Sequence, residues 1–307
     1  MYDARPTMQE RPTDTFVSDL RAICGAFDVD HPAEKLTGYA TSTSKAGLDL
    51  AFVGQSARAI HRTTDNIATD PGNHFFLVLQ TAGTAIMEQG DDVAYLEPGD
   101  MFLVDSTRPS SFIYQNRASH QLSLHLPRSE TKHRFGKRAR GGIAVNGGDP
   151  LARAMRSILS ELIEGDAPHL GHVAEAFYGV LGAYLFNRSL GEGGSVNPDR
   201  EIVNRAMHLI GLHFTDPDFS PTHLANLTGV SLRKLQRAFA VIKSSPHKRL
   251  QDARMDAASE MLGQASDEAE QSVTRIAFEC GYRDLSTFYR QYKRRHGCAP
   301  SDRRAMQ

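Results

Sequence analysis

The sequence predicts a mixed, two-domain protein: an N-terminal β-sandwich or barrel followed by helices, and a C-terminal all-α domain built on two helix-turn-helix units. Three observations predict it. Short apolar segments separated by turn residues fill positions 48–126, helix-period segments replace them after Pro150, and the C-terminal third carries an internal repeat at an offset of 52 to 53 residues. A chain of 307 residues also suits two domains and a linker better than one domain.

The β elements come first. LDLAFVG, ARAIHRT, HFFLVLQ, TAIMEQ, VAYL, MFLVD, SFIY and HQLSLHL read as strands, with Gly83, Gln89 to Asp92, Glu97 to Asp100 and Arg108-Pro109 as turns. A turn every ~8 to 12 residues is the rhythm of a sandwich or barrel, here spanning about 45–127. In the next segment Leu151, Met155, Ile158, Leu159 and Leu162 fall at helical spacing, and VAEAFYGVLGAYLFNRSL follows as a second apolar-faced helix, the pair covering about 150–190. These helices can cover the barrel or pair with a second subunit. Gly191 to Ser195 has linker composition, so the domains are expected at 1–190 and 199–307, with 191–198 between them.

Composition excludes several classes. Apolar residues at 40% and charged residues at 23% are ordinary for a globular chain. No stretch approaches the ~18 uncharged apolar residues of a membrane span, and the first residues lack a basic segment followed by an apolar one. No membrane association or export is expected, and a cytoplasmic location follows. Cys24, Cys280 and Cys298 form no CxxC pair, so neither a disulfide framework nor a zinc knuckle is readable. The net charge of −1 conceals a division: from Asp199 onward 17 Lys and Arg face 13 Asp and Glu, net +4, against 18 facing 23 before it, net −5. Two basic clusters in the second part, around 233–254 and 283–304, are the electrostatic footprint of a polyanion reader.

The repeat says what kind of reader. In the first copy Ser220-Pro221 opens a helix, Thr228-Gly229-Val230 breaks it, and Ser231 caps a second helix, LRKLQRAFAVI. In the second copy a helix around Ile276-Ala277 is broken at Cys280-Gly281-Tyr282-Arg283, and Asp284 caps LSTFYRQYKRRH. Leu224, Ala225 and Gly229 recur as Ile276, Ala277 and Gly281, and Leu235, Arg237 and Phe239 recur as Phe288, Arg290 and Tyr292. Steeply crossing helices need a small residue where they approach and a turn residue tolerant of positive φ, which explains the alanines and glycines.

On each second helix the apolar positions share one face. Arg233, Gln236 and Arg237 lie opposite in the first copy, and Ser286, Thr287 and Arg290 in the second. Such faces fit a major groove, where Arg and Gln can form paired hydrogen bonds with guanine and adenine edges. Lys234, Lys293, Arg294 and Arg295 complete the basic set, and Lys293 and Arg295, toward the helix end, are expected at phosphates. Ser245-Pro246 starts a connecting helix to about Leu262, whose length of roughly 25 Å can hold the two reading helices about one DNA turn apart.

Residues 200–304 resemble the DNA-binding domain of the AraC/XylS family of bacterial transcription regulators, most specifically in IAFECGYRDLSTFYRQYKRRHGCAPSDRR with Gly297, Pro300 and Arg303 or Arg304 at its end. Family members often have Gly where Lys243 stands. The N-terminal part resembles the family's cupin-like effector domain, with Leu96 to Asp100 and Asp105 to Pro109 as turn motifs. The resemblance implies an effector-responsive regulator, expected to be an activator, that binds double-stranded promoter or operator DNA and, if it activates, has RNA polymerase as a partner; activation or repression depends on where the operator lies relative to the promoter. A small aromatic or sugar-like effector and a homodimer are further implications; a barrel that only dimerises or binds a protein partner is the alternative. A metal-dependent cupin enzyme would need an HxH pair. His74 is followed by Phe75-Phe76, and His120 and His125 are five apart, so no catalytic residue, metal ligand or cofactor is expected.

Overall fold

The computed structural model describes residues 7–31, 34–114, 118–164, 170–190, 198–242, 244–264 and 273–305. The Gly191–Ser195 linker and the turn at Lys243 lie outside the described residues. The chain forms two compact units, Met1–Asn197 and Pro198–Gln307.

The first unit runs β1 (Gln9–Pro12), α1 (Thr13–Cys24), β2 (Asp28–Asp30), β3 (Lys35–Lys45), β4 (Leu48–Gln55), β5 (Ala59–Arg62), α2 (Thr64–Thr69), β6 (His74–Ala82), β7 (Ala85–Gln89), β8 (Asp92–Leu96), β9 (Met101–Asp105), β10 (Ser110–Ile113), β11 (Ser119–Pro127), α3 (Arg128–Phe135), β12 (Ile143–Val145), α4 (Pro150–Glu164) and α5 (Leu170–Leu190). All ladders are antiparallel. One sheet has the order β1-β3-β4-β11-β6-β9-β12 and the other β2-β5-β10-β7-β8. The barrel expectation is corrected here, because among the described residues the two sheets face each other without closing. A reason lies in α1, whose Phe16 and Leu20 enter the core between the sheets, so apolar burial completes that side without a closing ladder.

Alternation along the central strands separates two cores. Phe75, Leu77 and Leu79 of β6 and Leu122, Leu124 and Leu126 of β11 face α4 and α5, where Met155, Leu159, Phe177 and Leu181 are buried against them. Phe76 and Val78 of β6, and Phe102 and Val104 of β9, point between the sheets toward Ile60, Met87 and Phe112. Helices α4 and α5 therefore cover the larger sheet of their own chain.

The second unit is helical: α6 (Pro198–His213), α7 (Pro221–Thr228), α8 (Leu232–Ala240), α9 (Pro246–Gln264), α10 (Val273–Glu279), α11 (Leu285–His296) and α12 (Pro300–Ala305). Helix α6 packs on α7 and α8, burying Val203, Met207 and Ile210. Around α10 and α11, Met255, Ala258 and Leu262 of α9 meet Ile276, Ala277, Cys280, Phe288 and Tyr292. Among the described residues no helix is long and apolar enough to cross a membrane.

Candidate nucleic-acid interface

Helices α8 and α11 each begin where the sequence puts a cap. The Ser231 hydroxyl accepts from the Lys234 amide at the start of α8, and the Asp284 carboxylate accepts from the Thr287 amide at 2.7 Å at the start of α11. Hydrogen bonding to the Thr287 backbone and side chain holds the Asp284 carboxyl below its ordinary pKa. The preceding turns need Gly229 at φ 73° and Gly281 at φ 79°, in the left-handed region. Leu235, Ala238 and Phe239 bury one face of α8, and Phe288 and Tyr292 that of α11.

The opposite faces carry the sequence-predicted residues. Arg233, Lys234, Gln236 and Arg237 are exposed on α8, as are Ser286, Arg290, Lys293, Arg294 and Arg295 on α11, with Thr287 half-buried. Arg233, Lys234, Gln236, Lys293 and Arg294 have no side-chain partner among the described residues. Arg290 reaches the Thr287 hydroxyl at 3.5 Å. Two arginines have internal partners that sequence reasoning missed. Arg237 pairs with Asp199 of α6 at 3.4 Å. Arg295 donates to Asp252 of α9 at 2.8 Å and also pairs with Asp256, so its guanidinium ties α11 to α9. Helix α9 starts on a Ser245 cap and extends for 19 residues, which makes it ~28 Å long. Cys280, between α10 and α11, is buried, and burial pushes its thiol up to about 12.

The first unit holds a cavity of ≈ 40 Å³ between its sheets, lined mainly by apolar side chains of α1, β4, β5, β6 and β10. Phe27, Phe76 and Phe112 form aromatic walls, and among the described residues no charged side chain lines it. Its polar side is a chain of hydrogen bonds: the Tyr114 hydroxyl donates to the Gln121 carbonyl at 2.9 Å, the Gln121 amide to Gln80 at 3.0 Å, and the Gln80 amide to the Ser119 hydroxyl at 2.7 Å. Cys24 also lines the cavity, 3.9 Å from the His125 imidazole, and burial raises its thiol to about 12, favouring the protonated form. Arg62, 1% exposed, donates to the carbonyls of Ala26, Asp70 and Ser106 and stacks 5.3 Å from the Phe27 ring, fixing that wall. Sequence reasoning missed Leu20, Cys24, Phe27 and Arg62; the signal for the first two was the Phe16, Leu20, Cys24 spacing. His74 and His125 stand on neighbouring strands with ring centroids 6.0 Å apart. Among the described residues no group of three or more His, Cys, Asp or Glu side chains could hold a metal ion.

Comparison with known proteins bears on both units. Residues 20–185 match the AraC-binding-like domain, and residues 224–306 match a helix-turn-helix domain. The transcriptional activator NphR of Rhodococcus sp. is 23% identical over 261 residues, covering 82% of this chain and 76% of NphR. An uncharacterised protein encoded in the nit 5′ region of Bacillus sp. (strain OxB-1) is 25% identical, covering 75% of this chain and 95% of that protein. The crystal structure of the AraC-like transcriptional activator CuxR aligns over 89% of this chain and 100% of its own, with 15% identity and a TM-score of 0.43.

Proposed function

The chain belongs to the AraC family of transcription regulators and is a binder of double-stranded DNA, and from that premise we propose that α8 and α11 of one monomer enter two successive major grooves. The supporting observation is the duplicated arrangement itself: two capped helices, each buried on one face and each presenting uncharged polar and arginine side chains on the other. Arg233, Gln236, Arg237, Ser286, Thr287 and Arg290 read base edges, and Lys234, Lys293 and Arg294 hold phosphates. Arg295, tied to α9, positions α11.

The first unit serves as the sensor. Its cavity takes a small uncharged molecule, because an anion or cation there would be buried against apolar walls with no opposite charge among the lining residues. The protein acts as an effector-responsive activator, working as a homodimer that recruits RNA polymerase in the bacterial cytoplasm, and it catalyses no reaction.

Footprinting with quantitative binding tests the DNA reading. Arg237→Ala and Arg290→Ala are each expected to lose about 1–3 kcal/mol of specific binding and to relax the preference at particular base pairs. Unchanged affinity and preference in both variants would refute the groove assignment. A thermal-shift screen of matched neutral and carboxylate aromatics tests the sensor, since a ligand at 100 times its dissociation constant adds ~2.7 kcal/mol to the state it binds. Stabilisation by the carboxylates alone would overturn the neutral-ligand reading.

A further inference from the structure

In the second unit, the loop that leads into the first helix-turn-helix is held by the connecting helix α9 and by the turn of the second helix-turn-helix. Between α6 and α7 the chain turns through Phe214–Phe219, closing on itself with the Asp216 amide bonded to the His213 carbonyl at 3.0 Å and the Phe219 amide to the Asp216 carbonyl at 3.1 Å. Arg254 of α9 gathers this loop: its Nε donates to the Phe214 carbonyl at 2.8 Å, and one terminal nitrogen donates to Asp216 at 2.7 Å and Phe219 at 3.2 Å. From the other side comes the turn between α10 and α11. Arg283 donates to the Pro217 carbonyl at 3.1 Å and pairs with Asp218. Gly281 sits so close that an added Cβ would lie 2.5 Å from the Phe214 oxygen and 2.9 Å from that of Thr215.

The two copies differ here. Gly229 and Gly281 occupy the same place in the repeat and share a positive φ, yet a Cβ on Gly229 would meet nothing within 4 Å. The turn itself requires only a left-handed residue; the close approach belongs to the link between copies. Helix α9 packs against α6, α7 and α8 of the first half and against α10 and α12 of the second, which sets part of their relative orientation along its length. A contact away from that axis adds a constraint that packing on α9 does not supply. The loop continues directly into the Ser220 cap of α7, and the turn continues into the Asp284 cap of α11.

We propose that Arg254, Gly281 and Arg283 are positioning residues that lock the rotational phase between α8 and α11, and that this lock makes the protein select the spacing of its two half-sites on DNA. This rests on the reading that both helices enter major grooves. One inserted base pair turns a half-site by ~35° about the duplex axis, so a locked pair cannot follow it while a loose pair can.

The test selects binding sites from a randomised pool of double-stranded DNA with the full chain and with Arg254→Gln, Arg283→Ala and Arg254→Lys variants, each checked by thermal unfolding. The wild type should return two half-sites at one spacing and lose roughly tenfold in affinity when a base pair is inserted between them, since fixed geometry is what converts the second contact into an intramolecular one. Arg254→Gln should return the same half-sites over several spacings, with the insertion penalty reduced to about threefold or less. Arg254→Lys, which keeps a cationic donor, should recover part of the single-spacing preference. If Arg254→Gln does not fold, Arg283→Ala, which removes an exposed side chain, decides by the same reading. A folded variant that keeps the wild-type spacing and penalty, or that weakens all sites equally, overturns the proposal. A wild-type pool with only one half-site would instead overturn the two-groove reading on which it stands.

Discussion

Replacing Arg295 by alanine separates two roles that a basic residue near the end of a reading helix can have. A phosphate contact would be lost on every DNA sequence and would lower the salt slope; an internal tie would be lost as stability. The structure favours the second. The Arg295 guanidinium, 30% exposed, bonds Asp252 at 2.8 Å and pairs with Asp256, whose side chains are 22% and 13% exposed. Ion pairs on open surface contribute ~0.2–1 kcal/mol, and removing one partner of a fully buried pair costs ~3–5 kcal/mol. This cluster lies between those limits and nearer the first. Its loss also leaves two carboxylates four residues apart on α9, a repulsion of a few tenths of a kcal/mol, although Lys248 remains 3.2 Å from Asp252. Arg295→Ala should therefore destabilise the second unit by about 1–2 kcal/mol, seen as its melting transition moving down by roughly 5–10 °C. Binding measured across a salt series should keep its slope, whereas Lys293→Ala and Arg294→Ala, whose side chains have no internal partner among the described residues, should each flatten it by about one. An Arg295→Ala protein with unchanged melting and a slope lowered by one would refute the argument.

Acid should weaken the first unit through His125. Burial first, and the neighbouring His74 second, lower this imidazole from its ordinary 6.5 to about 4, with Asp49 opposing, so the fold holds it neutral while the unfolded chain protonates it. Its contribution is whole above pH 6.5 and is lost as the pH falls toward 4, a change of ~3 kcal/mol. Urea midpoints at pH 7 and pH 4.5 should therefore differ more in the wild type than in His125→Gln; an equal drop in both would show that other groups carry it. At the turns, Gly229→Ala should cost ~1 kcal/mol, the strain of a left-handed residue in open space, and Gly281→Ala distinctly more, because its Cβ also strikes the Phe214 carbonyl. Equal losses in chemical denaturation would contradict the close approach.

What the sequence revealed was what its residues settle locally. Ser231 and Asp284 cap the helices that follow them, Gly229 and Gly281 break the helices before them, and the apolar period divides α8 and α11 into buried and exposed faces. The strands rich in Leu, Val and Phe were legible for the same reason. Strand β3, KLTGYATSTSK, was not, because its Thr and Ser supply no alternation of apolar residues; its ladder with β4 forms it. Neither was α1 as the element that replaces barrel closure, since its place is decided by a core assembled from distant strands. The unread parts of the candidate interface have the same origin. Arg237 finds Asp199 38 residues away, Arg295 finds Asp252 43 away, and Arg254 finds the Phe214 carbonyl 40 away. Residue type showed these arginines as positive charge; only the tertiary fold assigns three of them internal partners.

Strand β11 couples the cavity of the first unit mechanically to the helices that cover its larger sheet. Gln121 and Ser123 line the cavity, while Leu122 and Leu124 are pressed into the core beneath α4 and α5. Successive residues of one pleated ribbon thus belong to two separate packings, and the ribbon is bonded on both edges, to β4 and to β6. It behaves as a diaphragm: a push on one side cannot be taken up by side chains alone, because the other side is filled to the density of a solid. A molecule entering the cavity and displacing Gln121 would move Leu122 with it, and the helices that rest on Leu122 would feel the change with no relay of polar residues between.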